Sequence, residues 1–197
     1  MADNGDGTYR NAILHADNSD PDVLRIGEDY YLTASSFNAV PGLPILHSKD
    51  LVNWEPIGHA FAAQPPLDVY DHPGHGNGSW APSIRRHNGE VYIFYPDPDF
   101  GIYMVKAKTP AGPWSDPLLV KRAKGWIDPC PLWDDDGKAY LGGKPHGSRT
   151  RDRVGVRRFR LVPRGVSPAA AGYAPRAMAR SPIAGRKLLA ARNGWNR

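Results

Sequence analysis

The 197-residue chain carries 25 Lys and Arg against 20 Asp and Glu, a formal net charge of +5. The sum hides a split: residues 1–141 hold 11 Lys and Arg and 19 acids, a net of −8, and residues 142–197 hold 14 Lys and Arg with Asp152 as their one acid, a net of +13. A uniformly basic protein is thereby excluded, as is an internal disulfide, since Cys130 is the single cysteine.

Gly and Pro together make about a fifth of the residues, which favours many turns over long helices. No apolar run approaches the roughly 18–20 residues of a membrane span. The start, Met1 to Tyr9, is polar and acidic and lacks the charged-then-apolar pattern of a signal peptide. The expectation from these features is a cytoplasmic protein with no membrane partner. Cys130 reads as a small packed residue rather than a nucleophile, because no activating base stands near it in sequence.

Three segments along the chain resemble one another. They begin Asp20-Pro21-Asp22-Val23, Ala81-Pro82-Ser83-Ile84 and Asp128-Pro129-Cys130-Pro131. Each continues as a short strand, a Gly-containing turn and a Tyr-bearing strand. Asn88-Gly89 and Asp136-Gly137 are strong hairpin signals, because both residue types tolerate positive φ. Two further strand-like stretches follow in the first two units, Leu43 to Lys49 before Trp54 and Gly101 to Lys108 before Trp114. About four strands per unit at this spacing is the mark of a β-propeller. The longer first spacing is explained by an insertion at His72 to Gly78. The pattern predicts an all-β fold of about two and a half blades over residues 1–141, fewer than the roughly 4–8 that close a ring.

The segment 142–197 fails the repeat. It has 12 Arg, many Ala, Pro and Gly, and no Glu. Arg157-Arg158-Phe159-Arg160 suits nucleic acid by charge, but the aromatic interleaving of a single-strand binder is sparse, so a nucleic-acid partner is not expected. The composition is that of an unstructured tail or of a shifted reading frame in GC-rich DNA. The second idea is tested by asking whether a one- or two-base change near codon 142 restores propeller-like sequence.

Asp20 and Asp128 hold equivalent positions in the first and third repeats. In a propeller the first strand of each blade lines the axis, so both carboxylates approach one pocket. Paired carboxylates suit general acid–base work; the competing reading is that Asp-Pro merely starts a turn. Trp80 directly precedes Ala81-Pro82, and Phe37 ends a return strand. Aromatic faces there suit sugar rings, with core packing as the alternative.

These residues carry a resemblance. Ser19-Asp20-Pro21-Asp22-Val23, Ser35-Ser36-Phe37 through Pro41-Gly42-Leu43-Pro44-Ile45, and His47 through Trp54 look like glycoside hydrolase family 43. So do Trp80-Ala81-Pro82-Ser83, Gly112-Pro113-Trp114, and Ile127-Asp128-Pro129 with Asp134 through Leu141. The resemblance covers roughly residues 10–141. It implies a five-bladed β-propeller, present here as its N-terminal part, and inverting hydrolysis of xylose- or arabinose-containing plant polysaccharides or oligosaccharides. Family members include β-xylosidases and α-L-arabinofuranosidases. By resemblance Asp20 matches the general base, Asp128 the aspartate that orients the general acid and raises its pKa, and Phe37 and Trp80 aromatic residues of the substrate pocket. Base and acid in an inverting enzyme stand roughly 6.5–9.5 Å apart to admit a water.

The family's acid is a glutamate, usually in Glu-Gly-Pro. This chain offers only Glu28, Glu55 and Glu90, and none reads as axial. The nearest echo, Ala184-Gly185-Arg186-Lys187 with Arg192-Asn193-Gly194-Trp195, lacks a carboxylate. The chain therefore reads as a truncated glycosidase, with a non-catalytic carbohydrate-binding propeller fragment as the alternative. No cofactor is implied. Family members can hold an axial cation such as calcium, but no ligand is assignable, and Asp134-Asp135-Asp136-Gly137 lacks the Glu that would complete a calcium loop.

Overall fold

The computed structural model describes residues 2–135, 137–147 and 157–159. By compactness the chain divides into units 1–162 and 163–197, and all described residues belong to the first.

Among the described residues every regular element is a strand. Strands β1 (Asp22–Ile26), β2 (Asp29–Thr33), β3 (Gly42–Ser48) and β4 (Glu55–Phe61) form one antiparallel sheet in chain order. Strands β5 (Ser83–His87), β6 (Glu90–Asp97), β7 (Gly101–Ala107) and β8 (Leu118–Arg122) form a second of the same topology. The third sheet runs β9 (Trp126–Trp133), β10 (Ala139–Pro145), β11 (Arg157–Phe159), with β10 in the middle. The two four-stranded units and the incomplete third match the repeat read from sequence.

Turn chemistry sets the hairpins. Asn88 (φ 47°) and Gly89 (φ 78°) both adopt positive φ between β5 and β6, the geometry that matches the natural twist of paired strands. The register then follows, with Ile84 opposite Ile93 and Arg85 opposite Tyr92.

The second sheet is covered on both faces, and the period-two alternation of its strands shows how. On β6, Val91, Ile93 and Tyr95 face a core shared with Leu43, Ile45, Ala60 and Phe61 of the first sheet. The intervening Tyr92 and Phe94 face a second core with Leu141, packed by Trp126 and Trp133 of the third sheet. On β7, Tyr103 and Val105 join the first core while Ile102 and Met104 join the second. Each fully buried side chain of this size contributes about 1.5–3 kcal/mol. A strand buried on both faces reads as a continuous apolar run, which Val91-Tyr92-Ile93-Phe94-Tyr95 is. The first sheet's other face is covered locally, with Leu32, Ala34 and Leu46 packed by Leu14 and Trp54.

Two expectations need correction. The blade-like part extends past residue 141: β10 runs to Pro145, and β11 pairs with it through Ala139–Phe159, Tyr140–Arg158 and Leu141–Arg157. Backbone pairing needs no apolar side chains, so an Arg-rich composition did not exclude a strand. Cys130 is exposed rather than packed, because β9 turns alternate residues inward and Cys130 falls between the buried Pro129 and Pro131. Of the echo at 184–187 and 192–195, all lies outside the described residues, as does Asp136.

Candidate active site

The three x-Pro starts converge. An open cavity of about 280 Å³ is lined by Pro21-Asp22, Ala81-Pro82-Ser83 and Asp128-Pro129-Cys130, with Arg85. This is one repeat-equivalent segment from each sheet. The sheets are held together there by Asp22, whose Oδ2 accepts from the backbone N of Ile84 (2.8 Å) and from Arg85 Nη1. The same guanidinium nitrogen donates to the Ile84 carbonyl at 2.7 Å. Asp22 thus ties the first sheet to the second at the axial end.

Asp20 and Asp128 share an uncommon backbone state. Asp20 has φ 49° and Asp128 φ 53°, in the left-handed region that few non-glycine residues visit. Phe37 (φ 51°) does the same. Strained backbone of this kind persists where the surroundings over-determine it, and it gathers at functional sites. Asp20 is exposed and accepts a hydrogen bond from Ser35 Oγ at 3.4 Å. Ser35 is itself anchored by its N–H to the Ser19 carbonyl (3.0 Å). Asp128 is paired with Lys144 Nζ at 2.7 Å.

Phe37 and Trp80 are brought together through the backbone. Phe37 and Ser79 form a reciprocal antiparallel bridge, Phe37 N to Ser79 O at 2.9 Å and Ser79 N to Phe37 O at 3.0 Å. Trp80 is the next residue. Side chains reinforce the bridge: Ser79 Oγ donates to the Phe37 carbonyl (3.2 Å), and Ser36 Oγ lies 2.7 Å from Ser79 Oγ. A hydroxyl has one proton. Ser79's is committed to Phe37, so Ser36 donates to Ser79 and uses its lone pair for the Leu43 N–H (2.9 Å). Gly78 makes the approach possible. Its φ is 94°, and a Cβ there would stand 2.4 Å from the Phe37 carbonyl oxygen.

The Trp80 indole is fixed at both ends. Its Nε1–H donates to the Gly76 carbonyl at 2.6 Å, and its ring meets His146 edge-on, centroids 5.5 Å apart at 78°. The His/Gly-rich insertion therefore helps to fix the Trp80 ring. The insertion is anchored by Asn38 Oδ1, which accepts from Gly74 N (2.5 Å). It is anchored again below by Asp97, which is fully buried and accepts from Tyr70 OH (2.6 Å), Asp99 N (3.0 Å) and Gln64 Nε2 (3.4 Å). Burial pushes the Asp97 carboxyl above its ordinary range against the effect of these donors. Tyr70 is raised as well, by burial first and by the bond to Asp97 second.

Sequence reasoning named Asp20, Phe37, Trp80 and Asp128; of these Asp128 lines the cavity, Asp20 and Trp80 directly precede its lining residues Pro21 and Ala81, and Phe37 is tied to this region through Ser79. It missed Arg85, Lys144 and His146. Lys144 and His146 come from the segment dismissed as tail; the register shifts between Gly142 and Lys144 and His146 follows the end of β10, so no strand period in the sequence marked them. Glu28 and Glu55 are exposed, and Glu90 is engaged with Lys106 Nζ (3.0 Å) and the Tyr92 hydroxyl (2.9 Å). Among the described residues no cluster of three or more His, Cys, Asp or Glu is arranged to hold a metal ion.

Comparison with known proteins places this architecture. A Xylanibacter ruminicola protein whose name assigns it provisionally to the beta-xylosidases is 47% identical over 148 residues, 74% of this chain and 27% of its own length. A non-reducing-end alpha-L-arabinofuranosidase of Bacteroides ovatus is 40% identical over 138 residues, covering 68% of this chain and 26% of its own. The chain thus spans about a quarter of the length of these relatives. The crystal structure of a xylan beta-1,4-xylosidase from Bacillus halodurans superimposes with a TM-score of 0.63 at 30% identity, over 76% of this chain and 30% of that one. The family model for glycosyl hydrolases family 43 matches residues 9–161, and the chain belongs to that family of five-bladed propeller glycosidases.

Proposed function

We propose that the axial cleft is the sugar pocket of an inverting pentosidase, acting on terminal xylosyl or arabinofuranosyl residues of plant polysaccharides or oligosaccharides. The observation that carries this reading is the matched pair Asp20 and Asp128, repeat-equivalent and both on left-handed backbone at the axial end. In this scheme water attacks the anomeric carbon from the face opposite the leaving group. The Asp20 carboxylate takes the proton from that water, and a carboxylic acid protonates the leaving oxygen as the glycosidic bond breaks. Asp128 orients that acid and raises its pKa. The acid itself is not assigned among the described residues. Phe37 and Trp80 offer apolar faces to the C–H side of the sugar ring.

The test is turnover of aryl β-xyloside and aryl α-L-arabinofuranoside, with the anomer of the released sugar followed by NMR. In a protein extended in frame through the rest of the family domain, Asp20→Asn is expected to abolish turnover while leaving xylobiose binding nearly intact. Retained turnover removes Asp20 from the base role. Xylobiose binding with no turnover by the extended protein selects the non-catalytic carbohydrate-binding reading instead.

A further inference from the structure

We propose that His146 is a saccharide-contacting residue that forms, with Trp80, an aromatic corner next to the cavity, Trp80 directly preceding the lining residue Ala81. The inference rests on the carbohydrate reading of the axial cleft and adds a residue and a recognition mode to it.

Three observations carry it. The first is geometric: the two rings stand at 78° with centroids 5.5 Å apart, so they form a corner of two nearly perpendicular planes. A pyranose or furanose ring has an apolar C–H face and a rim of hydroxyls. Such a ring seated on one plane of the corner directs its rim at the other. The second concerns polar capacity. Trp80 has one donor, Nε1–H, and it is committed to the Gly76 carbonyl at 2.6 Å. Trp80 therefore offers the ligand only its π-face. His146 is exposed, and among the described residues neither of its ring nitrogens has a hydrogen-bond partner. An imidazole there can bond a hydroxyl as donor or as acceptor, according to its tautomer. The third is positional. Lys144, two residues earlier, reaches Asp128 at 2.7 Å, so the end of β10 and the turn that follows it contact both Asp128 and Trp80. The backbone of His146 is fixed by its N–H to the Gly125 carbonyl (2.5 Å), so the ring is presented from an anchored position.

The polar part of the corner thus comes from the turn after β10 and the apolar part from the residues between the insertion and β5. The ligand class is a small neutral sugar, and the recognition is one hydrogen bond to a ring hydroxyl beside a stacked C–H face.

Isothermal titration with xylobiose tests this on the full chain, using the unaltered protein, His146→Ala, His146→Gln and Trp80→Ala. His146→Ala is expected to weaken xylobiose binding roughly tenfold, in line with loss of one hydrogen bond. His146→Gln, which keeps a donor and an acceptor, is expected to recover most of it. Trp80→Ala is expected to weaken binding at least as much. Binding unchanged within about twofold in His146→Ala, with Trp80→Ala weakened, overturns the role of His146 and leaves the pocket standing. A glutamine variant as weak as the alanine one also overturns it, since only the shape of the ring would then matter. Absence of xylobiose binding by the unaltered chain removes both the pocket and the inference.

Discussion

Tyr70→Phe probes the anchor beneath the insertion whose Gly76 carbonyl holds the Trp80 indole. The lost hydroxyl donates at 2.6 Å to the fully buried Asp97 carboxylate. A hydrogen bond to a charged group is worth about 1.5–3 kcal/mol, and a neutral one about 0.5–1.5. The expected cost near pH 7 is therefore about 2 kcal/mol. In an Asp97→Asn background, where the partner is neutral, it falls to about 1, leaving a coupling of about 1 kcal/mol. The pH dependence has a definite sign. The folded-state pKa of Asp97 is raised above the ordinary 3.8, by burial foremost. The native state therefore holds the proton more tightly than the unfolded chain. The stability tied to that proton is fully present below the unfolded pKa and is lost as pH rises through the raised folded value. Removing a donor that favours the ionised form raises the folded pKa further, at about 1.4 kcal/mol per unit. The deficit of Tyr70→Phe is then largest near neutrality and shrinks in acid. Urea unfolding followed by tryptophan fluorescence, at about pH 7 and about pH 4, measures all four proteins. An equal cost at both pH values, or in both backgrounds, refutes an ionised, hydrogen-bonded Asp97 as the anchor.

Two further outcomes follow from other parts of the fold. Gly78→Ala puts a Cβ 2.4 Å from the Phe37 carbonyl oxygen on a backbone at φ 94°. It is expected to break the Phe37–Ser79 bridge, to cost about 1–3 kcal/mol and to weaken xylobiose binding; a variant with unchanged unfolding midpoint and affinity rules out that close approach. Asp50 accepts bonds from the Asn53 side chain (2.8 Å) and from the backbone N–H groups of Asn53 (2.7 Å) and Val52 (2.8 Å), which hold its carboxyl far below the ordinary range. Its contribution is present above the unfolded pKa and is lost as pH falls through the lowered folded one. Asp50→Ala should lower Tm at neutral pH and flatten the acid limb of a Tm-against-pH curve, and an unaltered acid limb counts against this turn as a source of acid sensitivity.

Much of the fold was legible because its signals are local. Asn88-Gly89 names a hairpin by backbone stereochemistry alone. The recurring x-Pro starts with Tyr-bearing return strands gave the repeat and the two full sheets. The pairing of Asp20 with Asp128 rests on their equivalent positions in that repeat. Sequence determined that much. Contacts across sheets were decided only by the tertiary structure. The bond from Asp22 to Ile84 spans 62 residues, and the Phe37–Ser79 pairing spans 42. No period or composition encodes such distances. The +13 of residues 142–197 was read as marking the edge of the enzyme-like sequence, but strand pairing uses backbone groups, which charge does not report. The third sheet continues across that edge, and it carries Lys144 to Asp128 and His146 to Trp80.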